Sequence, residues 1–269
     1  MSTNVNQSAG SSNGDGMLYW HYQQLRKFTP KEFLKFGIEI NKLDGQPWDN
    51  IGRQFLEVYE KCGFLGGTGV AVADMNDDTI KRKWSSYQSF LTFYGIGSKQ
   101  EGMLKISNSC KYYLAKRKDP HGFALDISTR LQYPNYNMES NLQEQFNSKD
   151  LQVLPFVLLL HVLLWLYEME DEQMPHGGGG YLTEREICAV IFQIDHNDAT
   201  KHDILKKLWD RRNHSSHSRD YEDELENFPS DKYNPTYTGK DRVDSINRLF
   251  PLFEGTGFVK LVREEARDG

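Results

Sequence analysis

The sequence predicts a mainly α-helical protein with short β-hairpins, built as two tandem winged-helix units. Apolar residues recur at helical spacing through most of the 269-residue chain. In two places a helical segment ends in aromatic residues and glycine, and a short apolar strand follows. One long apolar stretch, LQVLPFVLLLHVLLWLY, separates the two helical groups. The predicted division is a disordered tail over residues 1–16, a first unit over residues 17–130 and a second unit over residues 131–269.

The first unit is predicted to contain three helices and a hairpin. Thr29 and Pro30 form an N-cap and first-turn pair that opens a helix over residues 29–40. Apolar spacing predicts further helices over residues 48–62 and 79–94, and the glycines within residues 95–107 predict a turn and a strand. Helix, helix, helix and hairpin is the order of elements in a winged helix-turn-helix.

A basic helix and a junction are expected to end the first unit. The helix is predicted over residues 109–118, which carry four Lys or Arg side chains (Lys111, Lys116, Arg117 and Lys118). Asp119-Pro120 and Tyr133-Pro134-Asn135 are interpreted as the junction, because such dipeptides interrupt regular structure.

The apolar stretch at residues 151–167 is interpreted as a buried helix rather than a membrane span. A span needs about 20 apolar residues, whereas this stretch is shorter, contains His161 and has Asp150 and Glu168 at its ends. A helix that is apolar on all sides is expected to be buried within the protein or in a membrane. Pro155 suits its first turn, where a missing N–H costs nothing.

The second unit is predicted from a capping box, two further helices and a strand. Thr183 with Glu186 has the spacing of a capping box at the start of a helix. Helices are expected over residues 200–212 and 240–253, and a strand over residues 258–262. The segment VDSINRLFPLFEGTGFVKLV resembles the earlier WSSYQSFLTFYGIG with its MLKIS strand, which suggests a repeated unit.

The charge is unevenly distributed. The net charge of −6 does not by itself favour nucleic-acid binding, which depends on Lys and Arg neutralising phosphates. Residues 81–130, however, contain ten Lys or Arg and only three acids, Glu101, Asp119 and Asp126. The chain is therefore acidic overall with one strongly basic block.

Four short segments of the chain occur together in a known order. They are Tyr94-Gly95-Ile96 with the following strand, Leu131-Gln132-Tyr133-Pro134, the LPFVL that opens the apolar helix, and Leu182-Thr183. These segments resemble the DNA-recognition regions of AlwI-like and BpuJI-like type IIS restriction endonucleases and related nicking endonucleases. The resemblance implies two winged-helix subdomains that clasp double-stranded DNA at a short asymmetric site. In that family a separate PD-(D/E)XK nuclease domain cuts outside the site with a divalent metal.

The resemblance also implies that this chain is the recognition half of such an enzyme. The nuclease pattern needs an acid-x-Lys sequence on an apolar strand, and none occurs in such a setting, so no catalytic residue is assigned. The nuclease is expected as a separate domain or subunit. Mg2+ is expected for that nuclease domain, and no cofactor or metal for this chain. The protein is expected in the cytoplasm of a prokaryote, with no membrane partner.

Candidate DNA contacts follow from the two predicted recognition helices, because such a helix presents a few side chains to base edges in the major groove. Base-edge candidates are Lys83, Ser85, Ser86, Gln88, Ser89, Lys240, Arg242, Asn247 and Arg248. Phosphate candidates are Lys81, Arg82, Lys99, Lys105, Arg211 and Arg212. A solvated helix face remains the alternative for each of them.

Two other functions stay open from the residues alone. A winged-helix transcription regulator is the main alternative, although that class usually dimerises on palindromes and this chain shows no heptad repeat. An enzyme with an unrecognised site is the other. The histidines at positions 196, 202, 214 and 217 lack the spacing of a zinc site, and Glu184 and Glu186 are explained by helix capping.

Overall fold

The computed structural model describes residues 29–65, 70–132, 153–169, 180–191, 200–213, 239–260 and 262. The first group of elements is α1 (Pro30–Ile40), α2 (Gly52–Lys61), α3 (Asp77–Phe93), β1 (Gly97–Gln100), β2 (Met103–Ile106), a π-helix (Cys110–Arg117) and α4 (Pro120–Arg130). The second group is α5 (Pro155–Tyr167), α6 (Glu184–Ala189), α7 (Lys201–Asn213) and α8 (Gly239–Glu254). The prediction of a mainly helical protein with a short hairpin is confirmed. The predicted tail, residues 1–16, lies outside the described residues.

Helix starts follow local capping chemistry. At α1 the Thr29 hydroxyl accepts the Glu32 N–H at 3.3 Å, and the Glu32 carboxylate accepts the Thr29 N–H at 2.7 Å. At α3 the Asn76 side chain accepts the Thr79 N–H at 2.9 Å, so α3 begins two residues earlier than predicted.

The chain between α1 and α2 bonds to the hairpin through backbone hydrogen bonds and one isolated β-bridge, Pro47 with Met103. Strands β1 and β2 pair antiparallel, with Ser98 opposite Lys105. On the other side of β2, the Leu104 N–H donates to Gln46 O at 2.8 Å and the Trp48 N–H donates to Gly102 O at 2.9 Å. Strand β2 therefore lies between β1 and the segment around residue 46, which fixes the hairpin to the helices.

Aromatic rings fill the core under α3. Phe36 is fully buried and makes edge-to-face ring contacts with Phe55, Tyr59 and Phe90 at centroid distances of 5.5–6.0 Å. Such pairs each add about 0.5–1.5 kcal/mol beyond the area that they bury. Helices α1, α2 and α3 are thereby held together as one packed group.

Helix α4 was missed in the sequence. Asp119 and Pro120 were interpreted as a junction, and that interpretation was wrong, because Asp119 is an N-cap that accepts the Gly122 N–H at 2.9 Å and Pro120 occupies the first turn. Helix α4 packs against α1, α5 and α8, and so links both helical groups. His121 Nδ1–H donates to Gly255 O at 2.7 Å across this contact.

Helix α5 begins at Pro155 as predicted, but it is buried on one side only. Phe156, Leu159, Val162 and Leu166 are buried, whereas Leu164 is 51% exposed. The prediction of a helix that packs into the core is therefore confirmed for this face. Among the helices in the described ranges, none combines the length and the apolar character that crossing a membrane requires.

The second group confirms the predicted helices but not the final strand. Thr183 and Glu186 form the expected capping box at α6. Residues 258–260 and 262 are not in a strand, and Val262 is 77% exposed. Gly257, at a φ of 80°, turns the chain after α8, and in the described ranges these residues have no strand beside them with which to pair.

Candidate nucleic-acid interface

Helix α3 divides into a buried face and an exposed polar face. Ile80, Trp84 and Leu91 lie in the core at the spacing of one helical side. Lys81, Arg82, Ser85 and Ser86 are exposed on the remainder, and Ser89 is half-buried. In the part of the chain that the structure describes, Lys81 and Arg82 form no ion pair.

The hydroxyls of α3 are bonded within their own helix. Ser86 Oγ donates to Arg82 O at 3.2 Å, and Ser89 Oγ donates to Ser86 O at 3.1 Å. Such bonds to the preceding turn are weak local interactions that a hydroxyl exchanges easily. These serines can therefore rotate toward a ligand at low cost.

Gln88 and Lys83 lie on the flanks of this face. The Gln88 amide accepts the Trp48 indole N–H at 3.2 Å and donates to Ser85 O at 3.2 Å. Lys83 is half-buried, and it shares its side of the helix with buried Phe90, seven residues later. Both were predicted as base contacts, but they are less open than Arg82 or Ser85.

The hairpin carries two of the predicted phosphate contacts. Lys99 is exposed on β1, and its Nζ pairs with the Asp49 carboxylate at 3.0 Å. Lys105 is exposed on β2, opposite Ser98. Exposed ion pairs contribute about 0–1 kcal/mol, so Lys99 can exchange Asp49 for a phosphate.

Asp44 anchors the hairpin to the π-helix. Its two carboxylate oxygens accept the Ile106 N–H at 2.8 Å and the Lys111 ammonium at 2.6 Å. Burial acts to raise the pKa of Asp44, but the hydrogen bonds from Lys111 and Ile106 outweigh it and lower the pKa below its ordinary value. The end of β2 and the start of the π-helix are thus held at one carboxylate.

The second group of predicted residues is only partly described. Asn247 is exposed on α8, and Arg248 is half-buried and pairs with Asp244 at 3.0 Å. Arg248 also lies near Tyr94: burial raises the Tyr94 pKa, the neighbouring Tyr59 adds to the rise, and the positive charge of Arg248 acts in the opposite direction. Lys240 and Arg242 belong to α8, but their side chains lie outside the described residues.

Arg212, predicted as a phosphate contact, is instead buried between α6 and α7. Its guanidinium donates to the Glu186 carboxylate at 2.6 and 3.3 Å and to Tyr181 O at 3.0 Å, and it lies over the Tyr181 ring. Its donors are therefore used inside the protein and do not face a ligand. Arg211 is half-buried on the same helix.

Helix α3 contacts strand β1 of the hairpin that carries Lys99 and Lys105, and the charge of Arg248 acts on Tyr94, the C-cap of α3. The structure adds a basic surface on the π-helix that was not among the predicted contacts, although its Lys and Arg run was visible in the sequence. Across the described ranges, no group of three or more His, Cys, Asp or Glu side chains is arranged to hold a metal ion.

The fold belongs to a class already seen in a solved structure. No family model matches the sequence, and no curated protein matches it. The matching structure is described as the crystal structure of pyrene- and phenanthrene-modified DNA in complex with the BpuJ1 endonuclease binding domain. The match has a TM-score of 0.53 and 11% sequence identity, and covers 91% of this chain and 81% of the other. At that identity the likeness shows a shared fold.

Proposed function

We propose that this chain binds double-stranded DNA sequence-specifically, as the target-recognition domain of a BpuJI-like type IIS restriction endonuclease. The observation that carries the proposal is the exposed polar and basic face of α3, a helix that contacts the hairpin on which Lys99 and Lys105 are exposed. The shared fold supports it, because the BpuJ1 binding domain is described in complex with DNA. Cleavage belongs to a separate nuclease domain that uses Mg2+.

The order of elements supports a winged-helix reading of the first unit. The order is α1, the bridge residue Pro47, α2, α3 and the β1–β2 hairpin, and β2 lies between β1 and the bridge residue. In such a unit α3 enters the major groove and the hairpin lies along the backbone. The second unit, α6 to α8, would contribute through Asn247 and the other exposed positions of α8.

Roles on α3 follow from exposure. Ser85, and Ser86 beside it, are the open polar groups that would reach base edges, and Lys83, Gln88 and Ser89 would contribute from the flanks after rearrangement. Lys81, Arg82, Lys99 and Lys105 would contact phosphates, which position the domain without reading sequence. Arg53 pairs with Asp77 at 3.1 Å, which reduces acidic repulsion at the leading end of α3.

Selection from a pool of random duplexes tests the proposal. We expect the wild-type protein to enrich one short asymmetric site. Light scattering is expected to show that the free protein is a monomer. Ser85→Ala is expected to change the preference at one base position, whereas Arg82→Ala weakens all sequences alike. Enrichment of a palindrome by a stable dimer would favour a transcription regulator, and enrichment of no site would contradict sequence-specific binding.

A further inference from the structure

The π-helix carries a second basic surface next to the hairpin. Lys116, Arg117 and Lys118 are exposed at its C-terminal end, and Tyr112 is 41% exposed beside them. No acidic side chain of the described ranges pairs with Lys116 or Lys118. None of these four residues is used by the α3 interface.

The π-helical geometry creates a stacked pair on this surface. The Arg117 guanidinium lies 5.1 Å from the centroid of the Tyr112 ring, five residues earlier. In an α-helix, residues five apart point about 140° away from each other, since each residue turns by about 100°. The wider turn of a π-helix brings them to one side, and π-helical turns are often found at functional sites.

Packing holds the π-helix rigidly. Cys110 and Leu114 are fully buried against α1, and a side chain on Gly37 of α1 would collide with Leu114. Lys118 ends the helix with a left-handed φ of 56°, and the Asp119 N–H donates to Tyr113 O at 2.7 Å. The buried residues of the π-helix thus hold its exposed basic side chains in a fixed position.

The π-helix is also held next to the hairpin, because Asp44 binds both Ile106 of β2 and Lys111 of the π-helix. A duplex that lies along the hairpin would meet the π-helix next. We propose that Lys116, Arg117 and Lys118 bind the phosphate backbone of that duplex beside the hairpin, and that the Tyr112 ring orients Arg117. This inference rests on the proposed function. A guanidinium oriented by an aromatic ring suits phosphate, and Lys supplies point charges.

The salt dependence of duplex binding tests this inference. The slope of log K against log salt is negative, and each lost phosphate contact makes it less steep by about 0.9. We expect that loss for Arg117→Ala and for Lys116→Ala, equally on the selected site and on unrelated duplexes. Lys35→Ala, an exposed residue of α1, is the charge-matched control and should keep the wild-type slope.

The stacked pair gives a second readout. Tyr112→Ala should weaken binding several-fold, and it should add nothing in an Arg117→Ala background. Tyr112→Phe keeps the ring and should bind as the wild type does. If the wild type binds duplexes and the Arg117→Ala and Lys116→Ala variants keep its salt slope, the inference is overturned while the proposed function stands.

Two results separate the inference from the proposed function. If the wild type selects no site but binds duplexes with a slope that Arg117→Ala reduces, the backbone contact stands and sequence-specific reading fails. If the wild type binds anionic lipid vesicles through Arg117 and no duplex at all, both are overturned.

Discussion

The indole N–H of Trp48 donates a hydrogen bond to the side-chain oxygen of Gln88 at 3.2 Å. It joins the chain before α2 to the flank of α3, and Trp48 is itself buried against Trp84 at a ring distance of 5.0 Å. Glutamine reads adenine with both its amide oxygen and its amide nitrogen. Because both are occupied here, Gln88 has to exchange partners before it can read a base.

We expect Gln88→Ala to destabilise the protein, because it leaves the Trp48 N–H without its acceptor. The expected loss is about 1–3 kcal/mol, the usual effect of leaving a buried donor unpaired. Urea unfolding measures it, with Ser86→Ala as the control, since that hydroxyl is exposed and bonds only to its own helix. Equal stability of the two variants would show that the Trp48 bond is not structural.

The ion pair between Arg212 and Glu186 is expected to act in folding rather than in DNA binding. Removing one partner of a buried pair costs about 3–5 kcal/mol, so Arg212→Ala should lower the unfolding midpoint strongly. Under conditions in which the Arg212→Ala variant is folded, the salt slope of its duplex binding should equal that of the wild type. A variant with normal stability and a reduced slope would instead restore Arg212 as a phosphate contact.

Acid is expected to weaken the attachment of the hairpin and of α1. Hydrogen bonds from Lys42 and Lys61 lower the pKa of Glu39, and those from Lys111 and Ile106 lower the pKa of Asp44 against the effect of burial. A carboxylate whose pKa is lowered in the folded state stabilises the protein at pH values above its pKa in the unfolded chain, which is about 4. That stabilisation is lost as the pH falls through the pKa of the folded state.

The thermal midpoint of the wild type and of Asp44→Asn measures this effect between about pH 6 and pH 2. The difference between the two proteins should be largest at the upper end and should shrink below about pH 4. A constant difference across that range would mean that the Asp44 charge contributes nothing to stability.

The features that depend on nearby residues could be predicted. The capping boxes at Thr29 and Thr183, the proline start of α5 and the polar face of α3 all follow from spacings of a few residues. Helix α4 could also have been found, because Asp119-Pro120 is as good a helix start as Thr29-Pro30.

The features that depend on residues far away in the sequence could not be predicted. Arg212 is buried because Glu186 lies opposite it, 26 residues away in sequence. The stack of Arg117 on Tyr112 requires a π-helix, and an α-helical period places the two residues apart. The predicted last strand failed because apolar alternation alone does not supply a neighbouring strand.

The central claim is that the exposed face of α3 reads DNA, and a titration of the selected duplex tests it most directly. Fluorescence anisotropy with the double variant Arg82→Ala/Ser85→Ala should show a loss of at least about 1–3 kcal/mol, or about 5- to 150-fold in affinity. Lys35→Ala should bind as the wild type does. An α3 double variant that binds the duplex as tightly as Lys35→Ala would contradict the account.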